Sequence, residues 1–87
     1  MSFPAHVKIR EEKFGSVIFE TLKEKIYVTN QTGKDILTLL KDNHTNKEIV
    51  DLLTDKYSEN KAVVERDVNE FIETLFKNEL VKNTDSH

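Results

Sequence analysis

The chain has 87 residues, carries charge at 33% of its positions and has a formal net charge of −3. A chain of this length forms one domain near the lower limit for a self-sufficient core. Its acidic balance disfavours nonspecific binding to nucleic acid or anionic membranes, both of which need a basic surface. Cysteine is absent, which excludes disulfides, thiolate metal sites, iron–sulfur ligation and cysteine nucleophiles.

No apolar run is long enough to cross a bilayer. Met1-Ser2-Phe3-Pro4 has neither the basic nor the apolar region of a signal peptide, so a cytoplasmic location is the default expectation.

The first third of the chain alternates. Val7 and Ile9 share a face between His6, Lys8 and Arg10, which reads as a strand over about 6–10. Phe14-Gly15 marks a connection, and a second strand over about 16–20 carries Val17 and Phe19 on one side and Ile18 on the other. Thr21-Leu22-Lys23-Glu24 has the length of a hairpin loop. The third strand, about 25–29, sets Ile26 and Val28 on one face and Lys25, Tyr27 and Thr29 on the other.

From Asn30 the apolar period lengthens to that of helices. Thr32 is the expected cap of a helix over about 33–42, with Asp35 at its third position and Ile36, Leu39 and Leu40 as its inward stripe, Leu37 beside them. Asn43 suits a left-handed helix end. Thr45 and Glu48 form a capping box for a helix over about 46–57 presenting Ile49, Leu52, Leu53 and Tyr57. A third helix over about 61–77 gathers Val64, Val68, Phe71 and Leu75 in one arc, and Leu80-Val81 is expected to fold back over the core.

The predicted fold is therefore α+β and winged helix-turn-helix-like, a three-stranded antiparallel sheet followed by three helices. It is expected to form a single domain over 1–82 with a flexible tail over 83–87.

Catalysis is not indicated. His6, His44 and His87 are scattered with no second metal-type ligand at helical spacing, and carboxylate pairs such as Glu70 with Glu73 read as solvated helix faces. Two isolated glycines make no phosphate-binding loop. A DNA-reading winged helix would need a basic third helix. Here Lys61, Arg66 and Lys77 stand against Glu65, Asp67, Glu70 and Glu73, so nucleic acid is not an expected partner.

A strand placed last in a small sheet has an open edge, which is either protected or used to dock a peptide. From the residues alone two readings stand side by side. Either Ile26 and Val28 are plain core and Tyr27 edge decoration, or the third strand and third helix flank a groove for an added strand.

Asn30-Gln31-Thr32-Gly33-Lys34-Asp35-Ile36-Leu37 with Leu39-Leu40, then Thr45 to Val50, Tyr57, Asp67-Val68 with Phe71-Ile72 and Leu75, and Leu80-Val81 together resemble the PqqD family. Asn43 and Asn78-Glu79 stand where such sequences carry glycine, at helix ends where Asn tolerates positive φ. The resemblance implies a precursor-peptide recognition element of ribosomally made, modified peptides. It implies that a leader segment adds to the third strand against the third helix and is presented to a separate modifying enzyme, often a radical S-adenosylmethionine enzyme. The chain itself would then be no enzyme and bind no cofactor.

The expected peptide-binding residues are Lys25, Ile26, Tyr27, Val28 and Thr29 on the strand. On the helix they are Val63, Arg66, Asp67 and Glu70, which lie away from the core arc. The open edge can equally pair with a second copy, so a monomer or weak dimer is expected.

Overall fold

The structure is a computed structural model and describes residues 2–82. Strands β1 (Val7–Glu11), β2 (Ser16–Glu20) and β3 (Lys25–Thr29) form an antiparallel sheet in the order β1-β2-β3. Helices α1 (Gln31–Lys41), α2 (Asn46–Tyr57) and α3 (Lys61–Lys77) follow. This is the expected α+β, winged-helix-like order, with the first strand shifted by one residue and the first helix starting two residues earlier. The expected tail over 83–87, with His87, lies outside the described residues. Among the described residues no helix is long and apolar enough to cross a membrane.

The earlier start of α1 has a local cause. Asn30, not Thr32, is the N-cap, and its Oδ1 accepts from Gly33 N at 2.9 Å. Asn presents its carbonyl to the first turn as well as Thr presents a hydroxyl, and the nearer residue takes the position. Asp35 is thereby released from capping.

The capping box of α2 forms as predicted, with Thr45 Oγ1 accepting from Glu48 N at 3.2 Å and Glu48 Oε1 accepting from Thr45 N at 2.9 Å. Asn43 takes φ 67, but at the later helix end it is Glu79, at φ 59, and not Asn78 that turns left-handed.

The inward stripes differ in detail from the periodicity. In α1 Ile36, Leu37 and Leu40 are buried, with Leu39 half-buried. In α2 Val50 takes the buried place expected for Leu52, which is exposed. In α3 Ile72 is buried and Phe71 only half-buried. Each correction rotates the helix slightly, because α1 packs on the sheet while α2 and α3 pack chiefly on each other, and an isolated helical wheel cannot show from which side a neighbour comes. Leu80 and Val81 close the core as expected, and Ser2 bridges Lys82 with paired main-chain bonds of 3.0 and 2.7 Å.

The larger correction is the facing of β3. Register pairs Ile9 with Ile18 and Ile18 with Tyr27, and Ile18 is wholly buried, so Tyr27 faces the core. Ile26 and Val28 are instead 64% and 68% exposed on the outer face of the sheet. The reading of Ile26 and Val28 as plain core does not hold.

At the other end of the hairpin the Glu20 carboxylate is buried. It is satisfied by the Leu22 amide at 2.7 Å and the Lys23 amide at 3.2 Å, which fixes the turn leading into β3.

Candidate functional site

Hydrogen bonds at both ends of the β1–β2 ladder fix which main-chain groups of β3 are free. Glu12 and Gly15 exchange bonds of 2.8 and 3.3 Å, and Thr21 N donates to His6 O at 3.0 Å. Bonded pairs alternate along an antiparallel ladder, so in this register Lys8–Phe19 and Arg10–Val17 are the bonded pairs. Ser16, Ile18 and Glu20 therefore turn their amides and carbonyls towards β3, where they meet Thr29, Tyr27 and Lys25. By the same alternation Ile26 and Val28 direct their N–H and C=O groups away from the sheet. No described residue pairs with that edge.

The C-terminal end of β3 is held from three directions. Thr29 Oγ1 accepts from Ser16 N at 3.1 Å. Gly15, at φ 156, lies against the turn out of the strand, where a β-carbon would stand 2.0 Å from Thr29 O. Gly33 allows the same closeness from α1, since a β-carbon there would be 2.7 Å from Thr29 Cβ and 2.9 Å from Phe71 Cε1. Thr29 of β3 and Phe71 of α3 thus converge over Gly33 of α1.

On α3, Val63, Asp67 and Glu70 stand at i, i+4 and i+7, so they share a face. Val63 and Asp67 line a cavity of about 330 Å³ together with Thr32, Leu53, Tyr57, Glu59, Val64 and Val68. Its floor is apolar and its rim polar, with two carboxylates, Glu59 and Asp67. Arg66 Nε lies 3.7 Å from Asp67 Oδ1, beside the cavity rather than in it. Glu70 is exposed beyond it. The cavity adjoins the start of α1, immediately after β3, and can take one apolar side chain with a polar or cationic end.

Asp35 steadies this end of the molecule. Its carboxylate accepts from the Tyr57 hydroxyl and, at 3.0 Å, from Lys56 Nζ, joining α1 to α2. Burial pushes the Asp35 carboxyl up, but Tyr57, Lys56 and Gln31 together hold it below its ordinary value. Burial and the bond to Asp35 raise the Tyr57 phenol.

The expected site residues thus fall into two groups. Lys25 to Thr29 form the edge, with Ile26 and Val28 supplying its free main chain. Val63 and Asp67 meet in the cavity, Arg66 flanks it, and Glu70 does not reach it. The sequence does not single out Thr32, Leu53, Tyr57, Glu59, Val64 and Val68 as cavity residues, nor Gly33 and Phe71 as the contacts that hold the end of β3. Gly33 was the available signal, because glycine in the first turn of a helix is unfavourable unless something packs against it closely. Among the described residues no three His, Cys, Asp or Glu side chains are grouped to hold a metal ion.

Fold and site together define a small winged-helix-like domain with an open strand edge and a cavity walled by its helices, which no residue of Lys25–Thr29 lines. The family described as "Coenzyme PQQ synthesis protein D (PqqD)" matches residues 15–81, and the chain belongs to that family. Two solved structures share the fold. One, titled "TbiB1 in Complex with the TbiA(beta) Leader Peptide", aligns over 99% of this chain and 100% of its own at 24% identity and TM-score 0.87. The other, titled "Lasso peptide synthetase B1 complexed with the leader peptide", aligns over 93% and 95% at 20% identity and TM-score 0.85. No curated protein matches the chain.

Proposed function

We propose that this protein is a non-catalytic recognition element that captures the leader segment of a ribosomally made precursor peptide by β-strand addition to β3 and presents it to a separate modifying enzyme. The observation that carries the reading is the free main chain of Ile26 and Val28. An added strand gains its hydrogen bonds there whatever its side chains, while pockets beside the strand select among sequences. Two structures of the same fold are named as leader-peptide complexes, which supports leader capture. Lys25 to Thr29 form the pairing strand in this proposal, and Val63, Arg66, Asp67 and Glu70 the opposite wall.

The partner enzyme is the finer part of the proposal. The family resemblance points to a radical S-adenosylmethionine enzyme, whereas one structural neighbour bears the name of a lasso peptide synthetase component. Leader capture is what these readings share. A monomer or weak dimer in the cytoplasm, without a cofactor of its own, fits that role.

A DNA-reading winged helix is disfavoured by α3 itself. Lys61 Nζ is drawn to Asp51 at 3.1 Å and Arg66 to Asp67, which leaves little positive charge for phosphate. Titrating the isotope-labelled protein with the leader segment of a candidate precursor peptide should move amide resonances along 25–30 and on α3. Shifts confined to α1 and α2 would overturn the proposal.

A further inference from the structure

The outer face of the sheet is unevenly built. Val17 and Phe19 of β2 pair with Val28 and Ile26 of β3, and these four side chains share one face. Across β1 the same rows end in Arg10 and Lys8, the Arg10 guanidinium lying 5.5 Å from the Phe19 ring centroid. The face therefore runs from cationic at β1 to apolar at β3.

The two edges differ in the same sense. On β1 the main-chain groups turned away from β2 belong to Val7, Ile9 and Glu11, the Val7 amide being taken up by Pro4 O at 3.0 Å, and the side chains of Val7 and Ile9 face the core, while Lys8 and Arg10 guard the outer face. Charge at an edge is the usual protection against unwanted pairing. On β3 the residues that offer free main chain are the same two that offer exposed apolar side chains.

Resting on the strand-addition reading, we infer that the captured peptide is also selected on this outer face. It presents two apolar or β-branched side chains, two residues apart, to Ile26 and Val28. In an antiparallel addition the residues bonded to Ile26 and Val28 lie directly opposite them, about 5.5 Å away between α-carbons, with side chains on the same face. The residue between them faces the groove. The peptide's outer pair thus extends the apolar rows begun by Phe19–Ile26 and Val17–Val28, continuous with the edge that binds its backbone.

The test is selection of an mRNA-displayed library of random decapeptides on the wild-type chain and on the Ile26→Thr/Val28→Thr double variant. Threonine is a good strand former, and both positions are exposed, so the sheet is retained. Val28→Thr alone, nearly isosteric, serves if the double variant does not fold. Hydrogen exchange is then read on the wild-type chain with its most enriched peptide.

Wild type should enrich an apolar pair at i and i+2 that the variant does not. The variant should bind the best wild-type peptide about three- to tenfold more weakly, and the Ile26 and Val28 amides should exchange more slowly when it is bound. The same pair enriched by both chains, with those amides slowed, would overturn selection on the outer face while leaving strand addition intact. Amides that do not slow, or a library with no enriched peptide, would overturn both.

Discussion

Gly33 and Phe71 approach so closely that a β-carbon on Gly33 would stand 2.9 Å from Phe71 Cε1 and 2.7 Å from Thr29 Cβ. The Phe71 ring can swing, but Thr29 Cβ is attached directly to the β3 backbone and cannot yield alone. Gly33→Ala gains up to about 1 kcal/mol in helix propensity against about 1–3 kcal/mol of overpacking. We expect a net loss of stability in urea unfolding, with the Thr29 amide among the most shifted. A more stable variant with an unmoved Thr29 would show that the contact is slack.

Proline separates the two sides of β3. At Val28 the lost N–H faces outward, so Val28→Pro should fold while binding its leader about tenfold more weakly. At Tyr27 the lost N–H serves the ladder to β2, and Tyr27→Pro should disrupt the sheet. Circular dichroism and a binding titration distinguish them. Equal loss of fold in both variants would contradict the assigned alternation.

Acid should act through Asp35. Its folded carboxyl titrates below the ordinary 3.8, so the stabilisation is complete above that value and lost as pH falls through the lower folded one. Asp35→Asn should flatten the dependence of unfolding free energy on pH in that range. The Tyr57 phenol is raised above 10.0, so its contribution is present below that pH and lost as pH rises through the folded value. Tyr57→Phe should cost about 1 kcal/mol near neutral pH and bring Asp35 back towards its ordinary titration, readable by carboxyl NMR.

Thr45→Ala removes one half of the α2 capping box and should lower stability by about 1 kcal/mol. Ser at the same position should restore most of it. Leader affinity should stay unchanged in both, because the start of α2 lies outside the cavity and the edge.

The elements were legible in the sequence because local signals set them: alternation for the strands, the Thr45–Glu48 box for α2, Asn43 for the end of α1. The facing of β3 was not legible. Val17, Ile18 and Phe19 are apolar on both sides of β2, so hydropathy did not say which side was inward. Only the register with Ile18 turns Tyr27 in and Ile26 and Val28 out. Asp35 was legible as a helix residue but not as the partner of Tyr57, which comes from 22 positions away. The cavity was half visible, since Val63 and Asp67 share a face of one helix while Leu53, Tyr57 and Glu59 arrive from another segment.

The division of labour within β3 bears on how such a protein diverges. Ile26 and Val28 give their main chain to the edge and keep their side chains out of the core. Their identities can therefore change without disturbing the residues that hold the fold. With a peptide strand added there as proposed, each such change would alter what that strand must look like, so that one peptide could be exchanged for another while the scaffold stays as it is.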